Sequence, residues 1–441
     1  MSETLIAVIT VVPVLAIMIL VHEWGHFIAA KSFGVRVEIF SIGFGPRLWG
    51  RKRGDTDYRI SALPLGGYVK MAGDNPAEER SGAPDEFQSK PRWQRAIIAL
   101  AGPIMNILMA VVLLTGVFAV VGIPYPAYYD KPMEIAAVPP ASQAAQAGIR
   151  SGDRIAELNG IRNPTWEQAQ ELLARLKAGA ELPVVVHRGG ETFEVAIRAS
   201  EPRDLTGALG YPPMPAVVDQ VSPGMPAEKA GLRSSDEIIA LNGEPIHTWP
   251  QVAQGIRSSG GKTLEFLVRR GEQQVALQIT PVQVQLPRGD MVWQIGMVNR
   301  PDIVYRRLGL IAAVEHGFLT NVALTRQIVV VVGQLFVGKM SLRQMQGVVG
   351  IARESGRAAQ SGPVDFLNLM AIISLNLGIL NLLPIPILDG GHLLLLTVEG
   401  TLRRDLSLTI KERFVQVGFL FLLVVFALVM YNDIVRLLPG R

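Results

Sequence analysis

ILVHEWGHFIAA, residues 19–30, sets two histidines and a glutamate directly after a run of aliphatic side chains. Burying ionisable groups in hydrocarbon is expensive, and the few found there are paired, metal-bound or functional. How the stretch is read therefore depends on whether a membrane surrounds it. The composition says that one does. Of 441 residues, 49% are hydrophobic and only 18% charged, where a soluble chain carries about 25% charged residues. The net charge of +4 is too small to suggest a nucleic-acid partner, and the absence of cysteine excludes disulfides, thiolate metal sites and a cysteine nucleophile.

Four stretches reach the roughly 20 apolar residues that cross about 30 Å of hydrocarbon. They are Leu5–Val21, which runs into the histidines, Ala96–Ile123, Phe366–Leu383 and Phe414–Tyr431. The first has neither a basic n-region nor a small-residue cleavage site, so it is expected to stay as a helix. A fifth stretch, 308–337, is interrupted by Glu315, His316 and Arg326 and is predicted to lie on the membrane surface as an amphipathic helix. Basic residues crowd the loop between the first two spans (Arg47, Arg51, Lys52 and Arg53 among them) and the loop before the last (Arg403, Arg404, Lys411, Arg413). Both loops are therefore expected in the cytoplasm, with the termini and the region 124–365 outside.

His22-Glu23-Trp24-Gly25-His26 is an HExxH. On a helix, positions i and i+4 share a face, so both imidazoles can reach one ion while Glu23 serves as general base for a water at an open coordination position. With 6 histidines and 38 acidic residues, chance supplies on the order of 0.01 such matches. The competing reading is a pair of histidines hydrogen-bonded to neighbours at a polar helix end. A hydrolytic metal site needs a third ligand, and NLGILNLLPIPILDGGH, residues 376–392, offers Asp389 just beyond Pro384 and Pro386. His22 lies about 18 residues into its span and Asp389 about 23 into its own, similar depths at 1.5 Å per residue. Both spans enter from the same side, so the two motifs are expected to meet near the cytoplasmic face. His187, His247, His316 and His392 carry no such pattern. In AGPIMN, Gly102 suits close helix packing, with Pro103 at a bend, and Asn106 a polar interhelical contact.

Residues 138–166, VPPASQAAQAGIRSGDRIAELNGIRNPTW, align without a gap to 221–249, VSPGMPAEKAGLRSSDEIIALNGEPIHTW. Gly148, Asp153, Asn159 and Trp166 match Gly231, Asp236, Asn242 and Trp249, so one small domain occurs twice. Both copies resemble PDZ domains, which implies two α+β domains that take extended peptide ends by strand addition, or serve only as a steric filter. The predicted fold is thus a polytopic α-helical membrane protein of about four transmembrane helices, with two PDZ-like domains inserted between the second and third spans. The expected divisions are 1–123, 124–203, 204–285, 286–363 and 364–441.

HEWGH, the N-x-x-P-x-P-x-L-D-G of Asn381–Gly390 and the inserted pair together resemble the site-2 proteases, along essentially the whole chain. The resemblance implies an intramembrane zinc metalloprotease of the bacterial inner membrane, with the termini and PDZ-like domains periplasmic. It implies one zinc ion on His22, His26 and Asp389, Glu23 as general base, and Asn381 steadying the substrate. It also implies that YRISALPLGGYVKM, residues 58–71, forms a re-entrant β loop in which Tyr58, Ile60, Leu63, Leu65, Gly67 and Tyr68 pair with extended substrate. The implied substrates are single-span membrane proteins of the anti-sigma-factor type, with remnant signal peptides a further class, cut after a first periplasmic cleavage. Two other readings use the same residues: a metal transporter, which would need neither Glu23 nor the repeats, and a PDZ scaffold with a structural zinc, which would be expected to have four protein ligands.

Overall fold

The computed structural model describes residues 3–74, 82–177, 179–198, 208–285, 291–300, 302–338 and 347–437. The chain divides into two compact units, Met1–Ile123 with Arg307–Arg441, and Pro124–Arg306.

The first unit holds helices α1 (Glu3–Ser32), α2 (Arg92–Val120), α3 (Leu310–Phe336), α4 (Val348–Ser361), α5 (Pro363–Asn381), α6 (Asp389–Leu402) and α7 (Leu408–Leu437), with strands β1 (Val37–Arg53) and β2 (Thr56–Met71). Five of the helices are long and apolar enough to cross a membrane: α1, α2, α3, α5 and α7. The additional candidate is α3, for which the sequence predicts a surface-lying helix. Its Ala313, Leu324 and Ile328 pack into one cluster with Ala110 and Leu114 of α2 and Leu375 of α5, so its small and aliphatic residues build helix-to-helix contact. α1 continues unbroken through Pro13 and the HExxH. It stops where Gly34 takes φ +67° and Val35 N–H bonds the Ala30 carbonyl, the usual glycine-terminated helix end.

β1 and β2 form more than a hairpin. Ile39–Ile42 lies between Asp57–Ile60 on one side and Gly67–Lys70 on the other, while Asp57–Ile60 also pairs with Trp49–Lys52. The sheet therefore runs 67–71, 37–42, 57–61, 47–53, and its two outer segments are 67–71 and 47–53.

In the second unit the repeated sequence becomes a repeated structure. Four strands in the order Ile161–Arg162, Arg154–Leu158, Glu181–Arg188, Glu191–Arg198 are matched by Glu244–Pro245, Glu237–Leu241, Leu264–Arg270, Gln273–Ile279. The Asn-Gly turns close on left-handed Asn159 (φ +48°) and Asn242 (φ +51°), as tight hairpin turns require. The aligned aspartates are fully buried, and each binds an arginine: Asp153 with Arg188 at 2.6 Å, Asp236 with Arg270 at 2.7 Å. Each arginine also donates to the carbonyl of the aligned glycine, Gly148 or Gly231. Burial pushes the Asp236 carboxyl up, but its bonds from Arg270 and the Arg233 N–H outweigh that and hold it below the ordinary carboxylate range.

The predicted division at 203–204 falls outside the described residues, yet the packing shows each lobe extending beyond its repeat. Ala208 and Leu209 are core residues of the first lobe, and Tyr211 bridges to Ala137. In the second lobe, Ile295 joins the core, and strand Met297–Asn299 pairs with Val218–Val221. The opening segment of each lobe, at Ala137 in the first and Val218–Val221 in the second, meets a backbone partner that the chain supplies only after the four-stranded sheet is complete.

Candidate metal centre

His22 and His26 lie one turn apart on α1 and are almost fully buried. The close approach of α2 makes their burial possible. A Cβ on Gly25 would stand 2.3 Å from the Ala101 carbonyl oxygen, and one on Gly102 would stand 2.2 Å from His26 Nε2. The glycines of HEWGH and of AGP are therefore the contact between the two helices. At that contact His26 Nδ1 reaches the Ile98 carbonyl at 2.7 Å, which fixes the proton on Nδ1 and leaves Nε2 with a free lone pair. His22 Nδ1 faces the Asn106 side chain at 3.3 Å.

The second motif brings the third group. α5 ends at Asn381, and the chain then turns through Leu382–Leu388 before α6 opens on Asp389. Ile387 takes φ +80°, a conformation that a β-branched residue holds only at a cost of order 1–3 kcal/mol. The Gly390 and Gly391 positions stand against the carbonyls of Leu383 and Ile385, at 2.1 and 2.4 Å for an added Cβ, so the double glycine lets the turn fold back on the start of α6. Asp389 then meets both histidines: Oδ2 is 3.1 Å from His22 Nε2, Oδ1 is 3.4 Å from His26 Nε2, and the two Nε2 atoms are 3.2 Å apart. Tetrahedral zinc with ligand bonds of about 2.0–2.1 Å separates its ligands by about 3.3–3.4 Å. Two imidazole nitrogens and a carboxylate at those separations fit such an ion, and they form the one such His, Cys, Asp and Glu grouping found among the described residues.

A cavity of about 380 Å³ opens on this cluster, and Glu23, Asn381, Val69 and Met71 share its wall. Asn381 Nδ2 lies 3.3 Å from His22 Nε2. The bordering segment of β2 is its outer one, 67–71. Of the six residues predicted to pair with substrate, Gly67 and Tyr68 belong to that segment. Tyr58 and Ile60 do not: Tyr58 pairs with both Phe40 and Arg51, and Ile60 with both Ile42 and Trp49, so neither has a free backbone edge. Leu63 pairs with Phe44 and its side chain is exposed. The side chain of Leu65 lies outside the described residues. Sequence reasoning missed His392, which lines the same cavity; its spacing of three from Asp389, on one helix face, was the available signal. His187 and His316 are elsewhere, the one beside Thr192 and the other against the Phe118 ring.

Residues 10–425 match Peptidase family M50. The chain is 35% identical over 448 residues to "Protease RseP" of Yersinia pestis, with 96% of this chain and 97% of that protein covered. It is 34% identical to "Regulator of sigma-E protease RseP" of Salmonella typhimurium (strain 14028s / SGSC 2262) and of Escherichia coli (strain K12), each over 96% of this chain and 97% of that protein. With the whole length matched in this way, the chain belongs to peptidase family M50, the site-2 proteases, and is an intramembrane zinc metalloprotease.

Proposed function

We propose that one zinc ion is held by His22, His26 and Asp389, and that the enzyme cuts the transmembrane segment of single-span proteins already shortened on the periplasmic side. The observation that carries the site assignment is the separation of the three ligand atoms, 3.1–3.4 Å, beside a carboxylate that is not among them. Zinc in such a site acidifies water and polarises a carbonyl. Glu23 then takes the proton of the attacking water and passes it to the leaving amide nitrogen. Asn381, with its amide within 3.3 Å of the ligand cluster, steadies the scissile peptide.

A helical substrate hides its carbonyls, so it must be drawn out, and its freed backbone groups need partners. The segment Gly67–Met71 suits this: it is outermost in its sheet, and its Val69 and Met71 share the cavity with Glu23. The names of the relatives as regulators of sigma-E protease support a substrate of the anti-sigma-factor type in an envelope stress response. The apolar helices and the basic loops that follow the first span and precede the last support an inner-membrane protein in which α3 lies on the membrane surface and the inserted unit and both termini are periplasmic.

The two lobes are assigned as PDZ-like domains with unequal roles. In the first, the segment after Gly210, bridged to Ala137 at Tyr211, runs Tyr211-Pro212-Pro213, and proline has no N–H to give an added strand. That lobe acts as a filter against bulky substrates. In the second, Met297–Asn299 has one edge unpaired among the described residues and borders a groove of about 630 Å³ beside helix Trp249–Ser258, which suits peptide capture.

The test compares the purified protein with Glu23→Gln for bound zinc and for cleavage of a single-span helix without its periplasmic domain. Zinc retained and cleavage lost is expected; equal cleavage by the variant overturns the assignment of Glu23.

A further inference from the structure

The two histidines are backed differently. His26 Nδ1 rests on a backbone carbonyl, whereas His22 Nδ1 meets the side-chain amide of Asn106 from α2. Asn106 is completely buried, its own carbonyl takes a hydrogen bond from Ser374 of α5, and its side-chain Oδ1 has no partner. An orphaned buried amide oxygen is costly, so its place beside a proposed metal ligand calls for a reason.

We propose that Asn106 is the positioning residue of His22: when zinc is held at Nε2, the amide turns over and Oδ1 accepts the Nδ1–H. With metal, the Nε2 lone pair is used and the proton must sit on Nδ1. The NH2 group would then oppose an N–H. A half-turn about Cβ–Cγ replaces that clash with a hydrogen bond and gives Oδ1 its partner.

This rests on the zinc assignment, and a titration separates the two. Zinc affinity of the full chain in detergent is measured by chelator competition for wild type, His22→Ala, Asn106→Leu, Asn106→Ala and Asn106→Asp, with thermal unfolding of each metal-free form. Losing an acceptor behind a metal-bound histidine costs about 10–100-fold in affinity, which is the loss expected for Leu and Ala. Asp, which keeps the acceptor and gives up the donor, is expected to hold zinc at least as tightly as wild type. The proposal is overturned if Asp is as weak as Leu and Ala, or if all three Asn106 variants bind as wild type and only their unfolding temperatures fall, as a purely structural contact would give. Equal binding by wild type and His22→Ala removes the zinc assignment itself and the proposal with it.

Discussion

Gly102→Ala puts a single methyl group where His26, the proposed zinc ligand, stands. The added Cβ would lie 2.2 Å from His26 Nε2, 2.6 Å from Cε1 and 2.8 Å from Cδ2, where real Cβ contacts essentially never fall below 3.0 Å. Three ring atoms are crowded together, so spinning the ring does not relieve the overlap. The ring must withdraw by about 0.8 Å, whereas zinc–ligand distances hold to about 0.2 Å. The 2.7 Å bond to the Ile98 carbonyl breaks with the same movement. Loss of a ligand and its backing bond together is expected to weaken zinc at least about 100-fold and to abolish cleavage. Gly116→Ala on the same helix is the control. Nothing lies within 4 Å of that position, so the change should leave zinc binding unaltered and favour the helix by about 0.8–1 kcal/mol. Chelator competition and thermal unfolding of both variants decide it. Wild-type zinc affinity in Gly102→Ala would refute the reasoning, because the ligand would then not be seated against that glycine.

Two further outcomes follow from ion pairs away from the metal. Glu399 and Lys411 are both buried and pair at 2.7 Å between α6 and α7, so Lys411→Met strands a carboxylate and should cost about 3–5 kcal/mol, read as a fall in unfolding temperature that Glu399→Gln in the same chain partly restores. The Asp236 carboxyl is held below its ordinary value by Arg270, so the second lobe carries stability that is complete above about pH 4 and is lost as the pH drops through the lowered value. Denaturant unfolding followed by Trp249 and Trp293 fluorescence should show that acid loss in wild type and a flatter profile in Asp236→Asn.

The meeting of His22, His26 and Asp389 could be anticipated from the sequence because the three residues come in two tight local motifs. The repeats were legible for a similar reason: Asn-Gly turns and the buried Asp153 and Asp236 are local requirements of one small fold. The support was harder to read. Nothing about Ile98 marks its carbonyl as a partner of His26, and Asn106 reads as an ordinary polar contact until α2 is laid against α1. The order of the β1–β2 sheet was also hidden, because a bend at Phe44–Arg47 lets one strand pair twice, and alternation in a sequence does not report a bend. Helix α3 shows a further limit. Glu315, His316 and Arg326 suggest a surface helix, and the contacts that Ala313, Leu324 and Ile328 make with α2 and α5 carry no signal in the sequence without those partners.

The two histidine anchors also differ in how visible they are to substitution experiments. The anchor of His26 is a main-chain oxygen of Ile98, and every amino acid carries one. An alanine scan at position 98 would therefore report the loss of a buried core side chain and leave the bond itself untested, because alanine offers the same oxygen. What is held constant there is the register of α2 against α1, a property of where the backbone lies. Mutational maps of this site will thus understate the helix that supports it and credit the residues that merely have a side chain to lose.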